Sequence, residues 1–174
     1  MNARPARDMA RLGLLAGTAV ILAVMENQVP RPLPWMRLGL GNLPVLVALL
    51  TFGFGPAFGV SVVKVLLGGF LGGGLGGPAS IMGMVAGGAS VTTMGAACRW
   101  SGGCFSAVGV SIIGAVTHQL AQLGVASAYM GHTAVLSLLP LAMLSGLLSG
   151  GIIGLLAEWS RRRLTGGEAR PVHA

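Results

Sequence analysis

The sequence predicts an all-α membrane protein with six transmembrane helices, and three observations carry that class. The 174 residues are 53% hydrophobic and only 9% charged, whereas a water-soluble domain carries about 25% charged residues. Mean hydropathy is +0.81. Apolar runs approaching the ~20 residues needed to cross a bilayer recur along the chain, separated by turns rich in Gly, Pro and Arg. The arginines are also sided. With six crossings, Arg4, Arg7, Arg11, Arg99 and Arg161 to Arg163 fall on one face, and Arg31 and Arg37 on the other. The positive-inside rule then makes both termini cytoplasmic, and the expected location is the inner membrane of a prokaryote, as a multi-pass protein.

Span one runs from Leu12 to about Val29, after a basic segment at residues 1–11. Basic residues before an apolar run resemble a secretory signal, but no small-x-small cleavage site follows, so the run reads as the first membrane helix. Pro30, Pro32 and Pro34 break it, and Trp35, Met36 and Arg37 read as an interfacial segment. Span two is expected from about Leu38 to Phe54. Gly53, Gly55 and Pro56 turn the chain into span three, which reaches Leu71. The glycine-rich run GGFLGGGLGG, Gly68 to Gly77, is expected to be a loop, since glycine is a poor helix former. Span four covers Pro78 to Cys98, span five Phe105 to Ala128, and span six Ala134 to Trp159. The transmembrane domain thus occupies residues 12–163, and residues 164–174 read as a disordered tail.

Several function classes are excluded. The net charge of +7 lies at the ends and turns without interleaved aromatics, so it signals topology and anionic headgroups, not nucleic acid. Cys98 and Cys104 form no CxxC and have no histidine partners, so no metal, haem or iron–sulfur site is expected, and no cofactor. The glycine run lacks the lysine that would close a phosphate-binding P-loop, so this chain hydrolyses no ATP.

Ionisable and amide groups are costly in hydrocarbon, which makes each one a functional candidate. At ~1.5 Å per residue, Glu26 lies about 21 Å along span one, and His118 and Gln122 about 18 and 24 Å along span five. Asn42 enters from the outer side, and Lys64, near mid-membrane, reaches outward on its flexible stem. The expected arrangement is an outward-facing cavity with Glu26, Asn42, Lys64, His118 and Gln122 as substrate-binding groups. Arg37 or Lys64 meets an acidic substrate group, and Gly72, Gly73 and Gly74 form a lid or hinge. His118 and Gln122 share a helix face, while Gln119 is turned about 100° away, toward a neighbouring helix. A purely structural role, with Glu26 and Lys64 neutralising each other, is the competing expectation. Small residues also recur at helical spacing: Gly13 and Gly17, Ala19 and Ala23, Gly83 and Gly87, and Gly146, Gly150 and Gly154. They allow close packing inside the bundle, or docking of a partner helix on span one.

Glu26, RLGLGNLP at Arg37 to Pro44, VKVLLGG at Val63 to Gly69 and GAVTHQLAQL at Gly114 to Leu123 together resemble the Gx transporter family, also labelled heptaprenyl diphosphate synthase component I. The likeness covers about Leu12 to Arg163. Where the family pattern has Asn after the histidine, this chain has the longer Gln119. The family is similar to the substrate-binding S components of energy-coupling-factor transporters. That similarity implies an S-component-like bundle that captures a small-molecule substrate from outside. It also implies that Gly13, Gly17, Ala19 and Ala23 couple span one to energising transmembrane and ATPase partners. The family's other label implies a membrane subunit of prenyl diphosphate synthesis. Since Asp8 is the only aspartate, the chain has no cluster to hold magnesium diphosphate, and catalysis would fall to a partner. A third reading is a non-transporting scaffold in a redox assembly.

Overall fold

The computed structural model describes residues 3–28, 39–72, 74–100 and 105–164. Six α-helices account for most of them: α1 (Ala3–Gln28), α2 (Leu43–Phe52), α3 (Phe54–Leu71), α4 (Pro78–Trp100), α5 (Ala107–Met130) and α6 (Leu139–Leu164). Short 3-10 turns precede α2 (Leu40–Asn42) and α6 (Thr133–Leu138), and there is no strand among the described residues. Five of the helical segments are long and apolar enough to cross a membrane; the segment Leu40–Phe52 is not.

That short segment is the main departure from expectation. Gly39 takes the left-handed conformation at φ 79°, Pro44 sits in the first turn of α2, and Gly53 ends the helix at φ 87°. The ten residues between these signals rise only about 15 Å, half of a bilayer's hydrocarbon core. Yet Val45, Leu46, Val47, Ala48 and Leu49 are buried consecutively, a pattern that wraps every side of the helix. They form the core with Ala19 of α1, Val60 of α3, Val91 and Met94 of α4, Val110 of α5 and Ile153 of α6. The apolar run reports enclosure by protein on every side of the helix.

Contacts at defined points set the helix directions. Ala23 Cβ lies 3.7 Å from the position a Cβ would take on Gly68, so the last turns of α1 and α3 lie together and the two run parallel. Phe54, which opens α3, lies against Gly95 near the end of α4, and Gly154 near the end of α6 lies against Val108 at the start of α5. Successive helices therefore alternate in direction. The start of α1 with Arg7 and Arg11, the end of α4 with Arg99, and the end of α6 share one end of the bundle. There Glu158 accepts hydrogen bonds from Arg161 at 3.0 Å and Arg162 at 2.9 Å, and Arg163 lies 5.3 Å above the Trp159 ring.

Other differences are local. Helix α1 begins at Ala3, inside the basic segment, with Arg7 and Arg11 exposed on it. Helix α3 continues through Gly68 and Gly69 to Leu71, and Gly68 is buried at the α1 crossing, so this glycine serves close approach within a helix. The turn after it is closed by its own bonds: Gly74 N–H to the Gly69 carbonyl at 2.9 Å, and Gly77 N–H to the Gly74 carbonyl at 3.1 Å. The interfacial segment around Trp35, the turn Ser101 to Gly103, Cys104 and the tail from Thr165 lie outside the described residues.

On α6, Gly146, Gly150 and Gly154 face α5. A Cβ on Gly150 would fall 2.9 Å from Ile112 Cα, and one on Gly154 would fall 2.6 Å from Val108 Cα. Backbone cannot yield as a side-chain tip can. Gly154→Ala is therefore expected to destabilise the bundle by about 1–3 kcal/mol. Gly151→Ala, with nothing within 4 Å, should be neutral. Thermal unfolding of the two variants in the same detergent checks the contrast.

Candidate functional site

Because α2 is short, its first residues lie deep in the bundle. Lys64 is ten residues into α3, about 15 Å along it, and its ammonium donates to Asn42 Oδ1 just before α2 begins. Asn42 therefore lies level with the middle of α3, deeper than the shallow outer position its sequence place suggests. Around this point Glu26 and Ala23 of α1, Gly39, Gly41 and Asn42, Lys64 and Val65 of α3, Gly83 of α4 and His118 of α5 line a common niche. Glu26, Lys64 and His118 are each less than 9% exposed.

The niche is held by two side chain to loop bonds and one glycine. Glu26 Oε1 accepts the Gly39 N–H at 2.7 Å, tying the end of α1 to the start of the α2 segment. A carboxylate acceptor makes this one of the stronger classes of hydrogen bond. Lys64 ties α3 to the same segment through Asn42. Between them Gly41 passes so close that a Cβ on it would be 3.3 Å from Ala19 O, Ala23 Cβ and Lys64 Cδ. The segment GLGN thus supplies a left-handed turn at Gly39, a close crossing at Gly41 and an amide at Asn42.

Of the substrate-binding candidates, Glu26, Asn42, Lys64 and His118 meet in the niche. Gln122 is buried one turn along α5 and does not line the niche; its Oε1 accepts no hydrogen bond among the described residues. Arg37 and Gly73 lie outside the described residues. Gly72 caps α3, its N–H bonded to the Gly68 carbonyl at 3.0 Å, and Gly74 accepts from the Ser80 hydroxyl; neither lines the niche. The span-one set divides. Gly13 and Gly17 have no atom within 4 Å of where a Cβ would stand, while Ala19 is fully buried in the core and Ala23 lines the niche. Gln119 turns to α6, where its Nε2 donates to Ser145 Oγ at 3.0 Å. No group of three His, Cys, Asp or Glu side chains able to hold a metal occurs among the described residues.

Sequence reasoning passed over Gly39, Gly41 and the serines of α4, α5 and α6. The first two carried a signal, since a glycine on either side of Leu40 ahead of an asparagine marks a tight, closely approached turn. The serines carried none, because serine is routine in membrane helices.

An all-helical bundle with several membrane-length helices and a niche of buried ionisable groups defines a polytopic membrane protein. The sequence matches the family described as heptaprenyl diphosphate synthase component I over residues 15–159, and the chain belongs to that family. No curated protein and no solved structure matches it significantly.

The Glu26 to Gly39 bond makes a sharp prediction. Glu26→Ala leaves the part-buried Gly39 N–H without its acceptor and should cost about 1–3 kcal/mol. Glu26→Gln, whose amide oxygen still accepts, should recover most of that. Chemical or thermal unfolding of both variants, compared at equal expression, checks it.

Proposed function

We propose that this chain is the membrane-embedded, non-catalytic component I of a prenyl diphosphate synthase assembly, and that its niche binds a small molecule for the complex. The observation that supports this reading is the family match over residues 15–159, set beside a sequence whose single aspartate is Asp8. Diphosphate chemistry with magnesium requires clustered carboxylates, so the reacting centre belongs to a partner subunit. In this reading the chain makes six passes, α2 being covered by its neighbours. Both ends face the cytoplasm, because Arg7, Arg11, Arg99 and Arg161 to Arg163 share one end of the bundle. The membrane is a prokaryotic inner membrane. Lys64 meets an acidic ligand group with help from Arg37, and Glu26, Asn42 and His118 supply hydrogen bonds. Gln122 adds a further hydrogen bond if the ligand extends one turn toward the outer end of α5.

A second reading is favoured by the niche itself. Buried ionisable groups converging from several helices suit an S-component-like uptake subunit that captures its substrate from outside. Gly13 and Gly17, open on the outer face of α1, would then meet an energising transmembrane partner, which works with separate ATPase subunits.

Membranes holding the chain, a candidate catalytic subunit, or both separate the readings through incorporation of isopentenyl diphosphate into long-chain product. Synthesis is expected only with both present. Lys64→Met should lower it about tenfold, the loss of one charge-assisted hydrogen bond, with expression unchanged. Synthesis indifferent to the chain, together with ATP-dependent uptake by proteoliposomes containing it, would establish the second reading instead.

A further inference from the structure

A second, narrow recess lies on the other side of Asn42 and His118 from the niche, and its polar lining includes Ser90 of α4, Gln119 of α5 and Ser149 of α6. Its walls are apolar, with Leu46, Met94 and Ile153 lining it. What these polar groups offer a ligand follows from where their protons already go. Ser90 donates its hydroxyl proton to the Gly114 carbonyl at 2.8 Å, and Ser149 donates to the Gly146 carbonyl at 3.4 Å. Gln119 uses its Nε2 on Ser145. A hydroxyl whose proton is engaged keeps only oxygen lone pairs, and a glutamine that spends one N–H keeps its carbonyl and its second N–H. Ser90 and Ser149 therefore face the recess as acceptors, while the Gln119 amide and the Ser111 hydroxyl, which also lines it, can each donate or accept.

Asn42 supplies the opposite property. An ammonium has donors and no acceptor, so the bond from Lys64 fixes which end of the Asn42 amide faces the niche. The amide nitrogen is left on the other side. The point where a side chain on Gly39 would begin lies 3.6 Å from Asn42 Nδ2 and 3.4 Å from Ile153 Cδ1, which places this nitrogen beside a recess wall. Net charge narrows the occupant further. No carboxylate lines the recess, and the Lys64 ammonium lies just across Asn42, which opposes a cation. An anion would meet oxygen lone pairs.

We propose that this recess is a subsite for the neutral amide edge of a small molecule, an N–H beside a C=O as in a cyclic amide or urea. The N–H is taken by Ser90, Ser149 or Gln119, and the carbonyl by Asn42 Nδ2. The inference rests on the niche being a binding site and extends it across Asn42, so that one ligand engages both Lys64 and the recess.

The full-length chain in nanodiscs tests this with 2-imidazolidinone and its N,N′-dimethyl analogue, which keeps the ring and carbonyl but has no N–H. Binding is followed by ligand-observed NMR. Saturable binding of 2-imidazolidinone is expected, with none by the dimethyl analogue. Ser149→Ala removes an acceptor whose own hydroxyl bond is long and within its helix, and should weaken binding about fivefold without lowering the melting temperature. Equal binding of the two probes, no binding of the first, or an unchanged affinity in Ser149→Ala would overturn the proposal. Loss of ring binding with partner-dependent synthesis intact would remove this subsite and leave the proposed function. Loss of synthesis with ring binding intact would do the reverse.

Discussion

The hydrogen bond from Gly39 to Glu26 anchors an irregular backbone segment in the middle of an apolar bundle, and the rest of the site depends on it. Backbone that leaves helical geometry at membrane depth must have its polar groups satisfied by protein. Here the satisfaction comes from a carboxylate at the end of α1, 13 residues earlier in the chain. With Gly39 held, the 3-10 turn Leu40–Asn42 follows, Pro44 starts α2, and Asn42 is presented to Lys64. Neither recess would have Asn42 in its wall without that placement.

The shortness of α2 is the second half of the same arrangement. A full-length helix in its place would fill the centre of the bundle with side chains from end to end. A ten-residue helix fills only part of that length and leaves polar groups from the surrounding helices lining recesses at its deep end. The surrounding helices pack directly in the order α1, α3, α4, α5, α6, and α2 joins α1 to α6. Glycines of α6 against α5, Gly114 against Met94 and Gly87 against Ser61 allow close approach along the outer ring, where lipid gives helices no hydrophobic reason to associate.

How much of this was legible follows from what each signal measures. Helix number, order and class were readable because apolar runs and arginine sidedness are direct consequences of solvation. Convergence of Glu26, Asn42, Lys64 and His118 was readable because the cost of burying such groups is high enough to demand a reason. The length of α2 was not, since hydropathy cannot tell enclosure by lipid from enclosure by protein: Val45 to Leu49 satisfy both. Depth arithmetic for Asn42 failed with it, having assumed that the helix began at the membrane surface. For the glycine run, low helix propensity was outweighed at Gly68 by the packing it allows against Ala23. The acceptor character of Ser90 and Ser149 was invisible in the chain, because it depends on which carbonyl each serine proton reaches.

The division of polar groups between the two recesses bears on how such a subunit serves a partner. Charge is confined to one side of Asn42, where Glu26 and Lys64 are each tied to the α2 segment, while the other side carries serines and glutamine tied to helix backbone or to a serine of α6. A ligand that engaged Lys64 would compete with Asn42 for its ammonium and would therefore act on the one residue that both recesses share. Releasing Asn42 frees an amide that Gly39, through its bond to Glu26, holds in place from the other direction. Under the proposed function, occupancy of the charged side would act on the α2 segment through Asn42, and on α1 through the bond between Gly39 and Glu26. In the same reading, the outer face of α1, with Gly13 and Gly17 open, is where a neighbouring subunit would meet that helix.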